Sequence, residues 1–240
     1  MPMKTRWHVH VFDTVTSTND VARQFTPRAD AWHLVLAAHQ TAGRGQYGRA
    51  WASAPGRNML ATFVVPAAAV RAPQVVSLAA AVGVCDVLRA HGLAARCKWP
   101  NDVQVDGAKV AGILVERCGD AVQIGIGLNV HWPAHAADAG CSGNWTSMAA
   151  ATGRQFDCAR LARETAAALE QLFTLAAPEL LQQYRRHCAS IGGPVEVMRA
   201  RRWRQGTVQD IGPDGSMLVA LPSDGTIHVR SSAHVRQSAA

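Results

Sequence analysis

The chain of 240 residues is 48% hydrophobic and 17% charged, enough apolar material for one substantial core, which excludes an intrinsically disordered protein. A formal net charge of +7 favours anionic partners (nucleotide phosphates, an acidic protein or nucleic acid) without choosing among them. The start, MPMKTRWHVHVFD, has no apolar signal core and no run reaches the roughly 18 apolar residues of a membrane span, so a cytoplasmic protein with no membrane partner is expected.

Val9 to Asp13 reads as a short strand leading into the polar cluster TVTSTND, residues 14–20. The Asn19–Asp20 pair is expected to open a helix around Val21, Ala22 and Phe25 that stops before Pro27. Buried strands follow at Leu34–Ala38 and Met59–Val65, the second ended by Pro66. From Val75 to His91 the apolar positions Val75, Leu78, Ala79, Val82, Cys85 and Leu88 keep helical spacing, and Gly92 stands where a C-terminal cap belongs. The period then becomes that of strands: Ala94–Lys98, Val103–Val105, Val110–Glu116 and Val122–Val130. Asp106–Gly107 and Gly119–Asp120 mark the turns of an antiparallel meander.

Asp157 is a good N-cap for a helix with Leu161, Thr165, Ala168 and Leu172 along one face, and Pro178 suits the first turn of another through Leu181 and Tyr184. From Gly192 onward, short strands (Val195–Met198, Gly206–Gln209, Met217–Leu221, Thr226–Val229) between Gly-rich turns suggest a small barrel, with Arg236 to Ala240 as a free tail. The composition break at Ile191–Pro194 divides the chain into residues 1–190 and 191–240. Six cysteines (Cys85, Cys97, Cys118, Cys141, Cys158, Cys188) form no Cys-x-x-Cys pair, the pattern of reduced, structural thiols, and no metal-ligand set is expected.

Four stretches carry chemistry. In QTAGRGQYGRAW, residues 40–51, Gly43, Gly45 and Gly48 let main-chain N–H groups approach an anion, Arg44 and Arg49 add planar cationic donors, and Trp51 offers a face for a base. The plain alternative is a Gly-rich surface turn. The segment fits neither G-x-x-x-x-G-K-[ST] nor G-x-G-x-x-G, so P-loop and Rossmann readings are disfavoured. KWPND, residues 98–102, brackets a rigid Trp-Pro corner with Lys98, Asn101 and Asp102. In KVAGILVE, residues 109–116, Gly112 interrupts a strand and marks either a bulge or a ligand against the backbone. GIGLNV, residues 125–130, places Asn129 in an apolar strand where its amide needs a partner. A fifth stretch, RARRWRQ, residues 199–205, sets four arginines around Trp203, either a phosphate grip or one solvated edge of the barrel.

TSTND, QTAGRGQYGRAW, KWPNDV, KVAGILVE and GIGLNV stand in the order and approximate spacing of the biotin protein ligases, and from about residue 10 to 130 the chain resembles that family. The resemblance implies an α+β fold, a mixed or antiparallel sheet with helices akin to that of lipoate ligases, followed by a small SH3-like barrel. It implies that biotin and ATP give biotinyl-5′-adenylate and pyrophosphate, and that the biotinyl group then passes to a lysine of a biotin carboxyl carrier domain. By similarity Ser17, Thr18, Asn19, Gln40, Gly43, Arg44, Gly45, Lys98, Gly112 and Leu114 belong to the biotin pocket. Arg44, Arg49, Trp51, Lys98, Asn101 and Asn129 fall near ATP, with Lys98 on the catalytic lysine and Asp102 a candidate for orienting the acceptor amine. Mg²⁺ bridging phosphates is expected with ATP.

A lipoate or octanoate ligase or transferase of the same fold is the nearest rival, and a non-catalytic nucleic-acid-binding module is the rival from another class. Monomer and homodimer both remain open. Too few residues precede the TSTND region for a helix-turn-helix, so no DNA partner is expected. Relatives commonly carry an arginine directly after GRG, where this chain has Gln46. With one cation fewer beside the adenylate, the intermediate should leave this protein faster than it leaves a Gln46→Arg variant; equal dissociation rates in a trapping assay would refute this.

Overall fold

The computed structural model describes residues 6–131 and 144–237; Cys141 lies outside them. Strands β1 (Arg6–Val15), β2 (Ala31–Gln40), β3 (Asn58–Pro66), β4 (Ala95–Lys98), β5 (Asp102–Val105), β6 (Ala108–Cys118) and β7 (Ala121–Asn129) form one sheet in the order β1-β2-β3-β7-β6-β5-β4. β1 and β2 are parallel, joined through the short helix α1 (Thr18–Ala22), and every other pair is antiparallel. The meander from β4 to β7 turns where the sequence indicates: Asp106 and Gly107 both hold positive φ, 49° and 77°, as a two-residue hairpin requires.

Helices α2 (Val76–Ala90), α4 (Cys158–Phe173) and α5 (Ala177–His187) cover one face of this sheet. α2 is buried almost throughout, and Gly83 lets α4 pack closely, since a Cβ there would sit 3.3 Å from Leu172 Cδ1. Pro73–Ala90 has the length and mean hydropathy (1.3) of a membrane span but is interrupted by Gln74, Ser77, Asp86 and Arg89, and two thirds of it is buried as the core helix. Asp157 caps α4 by accepting from Ala159 N (2.8 Å) and Arg160 N (3.1 Å).

On the opposite face α1 packs over β2, β3 and β7. Alternation along β7 sends Ile124, Ile126 and Leu128 into the core and turns Gly125, Gly127 and Asn129 to this open face, where the cavity described below lies. The architecture is the expected α+β one.

β8 (Pro194–Arg199), β9 (Arg202–Ile211), β10 (Met217–Leu221), β11 (Gly225–Val229) and β12 (Val235–Gln237) build the small SH3-like unit, an antiparallel sheet in the order β11-β10-β9-β8-β12. It docks against the first sheet through Trp99, whose Nε1 donates to Gly215 O at 2.9 Å. Arg185 adds donation to Asp210 Oδ1 at 2.7 Å and to Ile211 O.

Several expectations need correction. Arg236 and Gln237 are not a free tail, because β12 pairs with β8 and Arg236 binds Glu196 at 2.7 Å while its guanidinium lies 4.3 Å from the Trp203 ring centre. α1 begins after Ser17 rather than at Asn19–Asp20 and ends at Ala22. β9 starts at Arg202, so the arginine-rich run is the tip of a hairpin whose turn residues Ala200 and Arg201 hold φ of 47° and 61°. A short helix α3 (Met148–Thr152), capped by Ser147, was not foreseen. Gly112 is no bulge; the register of β5 on β6 shifts between Val103 and Gln104 instead, and Gly112 pairs in register on both sides.

Phe63, fully buried in β3, packs where α4 meets the sheet. Phe63→Ala should cost about 3–5 kcal/mol, read as a lowered urea midpoint with unchanged slope. A loss below about 1 kcal/mol would contradict this packing.

Candidate active site

The open face carries a cavity of about 660 Å³ whose floor is one row of the sheet. Asp102, Gly112 and Gly127 are direct partners across β5, β6 and β7, and Lys98 of β4 pairs with Asp102 at the end of the same row. Trp51 lies flat on the two glycines: a Cβ on Gly127 would fall 2.3 Å from Trp51 Cε2, and one on Gly112 2.9 Å from Cζ3. No side chain larger than hydrogen fits beneath that ring. Residues 43–51 form a tight hairpin that delivers it, with Trp51 N donating to Gly43 O (2.9 Å) and Gly45 N to Arg49 O (2.7 Å).

One end of the cavity is lined by neutral hydrogen-bonding groups. Gln40 Oε1 accepts from Thr18 N (2.7 Å) and Thr18 Oγ1 (3.0 Å). The hydroxyl of Thr62, buried in β3, donates to Asn19 Oδ1 (2.6 Å) and lies 2.8 Å from Thr18 Oγ1. Asn19 then donates to Glu116 Oε2 at 2.8 Å. Gly125 makes room for this amide, since a Cβ there would meet Asn19 Oδ1 at 2.4 Å. Ser17, Thr18 and Asn19 are buried, so their remaining capacity faces the cavity alone.

Charged side chains line the same cavity. Arg44 is aimed by Asp20, 2.7 Å from its Nη1, with Glu116 3.7 Å from its Nη2. Lys109 Nζ sits 2.6 Å from Asp102 Oδ1 and 5.6 Å from the Trp51 ring centre. Arg49 lines the cavity too. Asn101 Nδ2 donates to Ile113 O (2.8 Å) and Asn129 Nδ2 to Thr146 O (3.1 Å), which fixes both amides at the rim.

Of the residues singled out in the sequence, Ser17, Thr18, Asn19, Gln40, Arg44, Gly45, Arg49, Trp51, Asn101, Asp102, Gly112, Leu114 and Asn129 line the cavity together. Gly43 and Lys98 do not: Gly43 backs the Trp51 main chain, and Lys98 stands beside Asp102 in the ladder, outside the lining. Sequence reasoning missed Lys109, Gly127 and Trp145. Lys109 opens KVAGILVE three residues before Gly112, and that position within a strand ending at the cavity was its available signal. Trp145 had none, because its neighbours are brought to the site by backbone pairing with Lys109, Lys109 N to Asn144 O (3.0 Å) and Thr146 N to Lys109 O (2.8 Å).

Gly127→Ala should unseat the indole and weaken nucleotide binding roughly tenfold by calorimetric titration with ATP. A variant that binds ATP like its parent would show that the Trp51 seat is irrelevant to the nucleotide.

Residues 11–131 match the Biotin/lipoate A/B protein ligase family. The chain is 34% identical over 194 residues to the biotin–[acetyl-CoA-carboxylase] ligase of Mycobacterium tuberculosis, covering 78% of this chain and 73% of that one. It is 34% identical over 224 residues to the protein of the same name from Paracoccus denitrificans, covering 86% and 92%. The biotin protein ligase from Aquifex aeolicus, solved in complex with biotin and ATP, has the same fold, with a TM-score of 0.81 at 21% identity over 96% of this chain and 99% of that one. The family model spans every lining residue but Trp145, and with these relatives it shows that the chain belongs to the biotin/lipoate A/B protein ligase family.

Proposed function

We infer that the protein is an ATP-dependent biotin protein ligase. The observation that carries this reading is that one cavity combines a neutral hydrogen-bonding network with three cationic side chains, Arg44, Arg49 and Lys109, beside a flat indole. A ureido head is neutral and offers both donors and acceptors, which suits Ser17, Thr18, Asn19 and Gln40. A carboxylate and a triphosphate must then meet in the same cavity, and two anions approach each other only where cations offset their repulsion.

In the first step a carboxylate oxygen of biotin attacks the α-phosphorus of ATP and pyrophosphate leaves. The carboxylate is already ionised, so no general base is needed and catalysis rests on placement and charge. Arg44, Arg49 and Lys109 supply the charge, Lys98 adds its own at the margin of the row, and Trp51 with Asn101 and Asn129 holds the nucleotide. Mg²⁺ enters with ATP as part of that substrate; among the described residues no group of three or more His, Cys, Asp or Glu side chains could hold a metal ion. In the second step the neutral amine of an acceptor lysine attacks the acyl carbon and AMP departs as the amide forms. Asp102, at the cavity rim, is placed to orient that amine.

The acceptor we propose is a biotin carboxyl carrier domain, the partner to which the name of the Mycobacterium tuberculosis relative points. In this reading residues 1–190 carry the chemistry and residues 191–240 brace it. The test is pyrophosphate exchange into ATP with biotin, lipoate or neither present. Exchange with biotin alone is expected; exchange with lipoate instead would reassign the neutral end of the cavity to a different acyl substrate.

A further inference from the structure

The hairpin at residues 43–51 touches the second sheet at its tip. Tyr47 Oη lies 2.8 Å from Ser231 Oγ, and Ser232 donates its hydroxyl to Gln46 Oε1 at 3.4 Å. Ser231 is itself held in place, because its Oγ accepts from Ala233 N at 3.2 Å and caps the turn Ser232–His234. Tyr47 has φ 58° and ψ 33°, a left-handed conformation that a bulky residue keeps only where its surroundings enforce it. Tyr47 is 58% exposed, so packing does not enforce this; the backbone bonds that close the turn, Gly45 N to Arg49 O and Arg49 N to Gln46 O, hold the conformation, and the phenol's hydrogen bond to Ser231 anchors the tip. The hydroxyls of Ser231 and Ser232 also hold the phenol below its usual pKa of 10, as donors to a developing phenolate must.

The same sheet also holds Trp99, which donates from Nε1 to Gly215 O and is close in sequence to the cavity residues Asn101 and Asp102. One rigid unit therefore contacts both the hairpin that carries Arg44 and Arg49 and the corner that carries Asp102. We propose that Tyr47 is a positioning residue for adenylation: bound to the turn at residues 231–234, it fixes the hairpin in the place where its arginines meet the phosphates. It touches no substrate and acts through the loop. The proposal rests on the biotin ligase reading.

Tyr47→Phe removes one oxygen from an exposed side chain and leaves the biotin end intact. In the exchange assay it should lower kcat/KM for ATP roughly three- to tenfold, mainly through KM, without moving KM for biotin. Ser231→Ala should do the same, and the double variant should be no worse than either single one. ATP kinetics within about twofold of the parent, or losses that multiply in the double variant, would overturn the proposal.

A measurement independent of activity separates its failure from that of the functional reading. The chain has only two tyrosines, and Tyr184 is fully buried with its phenol pushed well above the usual range. The first phenolate to form in an absorbance titration is therefore that of Tyr47, and Ser231→Ala should raise its midpoint towards 10. An unmoved midpoint in an active protein overturns the contact alone. A parent with no biotin-dependent exchange overturns the functional reading, and the role of Tyr47 falls with it.

Discussion

A single hydroxyl in the middle of the sheet, that of Thr62, organises the neutral half of the site. It is fully buried in β3, and a buried hydroxyl without a partner costs about 1–3 kcal/mol, so the chain must bring it one. Asn19 and Thr18 answer from α1, and they arrive only because Ser17 ends β1's exit loop directly above the strand. Gln40, at the end of β2, closes the network on Thr18, and Glu116 of β6 closes it on Asn19. Four elements distant in sequence are thus held in register by hydrogen bonds that also aim the free groups of Ser17, Thr18 and Asn19 at the cavity. Glu116 in turn faces Arg44, which links the neutral half to the charged half.

Much of this could be read from the residues because local physics dictated it. Helical spacing with Gly92 as a stop, the Asp157 cap and the Asp106–Gly107 turn are each decided within a few residues, and each element lies where those signals place it. The features that escaped depend on distant partners. β12 is a strand because β8 offers an edge, and the neighbours of Trp145 are brought to the site by pairing with Lys109. Thr62 looks like any β-branched residue in a strand until Asn19 is seen above it. Lys109 was visible but outweighed by the lysine of KWPND, whose position in the ladder turns out to be at the margin.

The charged half shows how cations are kept useful before a ligand arrives. Arg44 and Lys109 each have a carboxylate partner, Asp20 and Asp102, and each remains on the cavity wall. Half-exposed pairs of this kind contribute little to stability, about 0–1 kcal/mol, so the incoming anion loses little in competing for them. Their contribution is direction: two flexible side chains are held pointing at the place where phosphate charge will accumulate.

The floor beneath Trp51 has a consequence for how such a protein can change over generations. Gly112, Gly125 and Gly127 are occupied, in effect, by an indole and an amide that belong to other segments, so any substitution there displaces a neighbour that is itself needed. Variation that alters ligand choice is therefore pushed outward, to exposed lining positions such as Arg49. A change at the centre must be matched by the neighbour it displaces, whereas a change at the edge need not be.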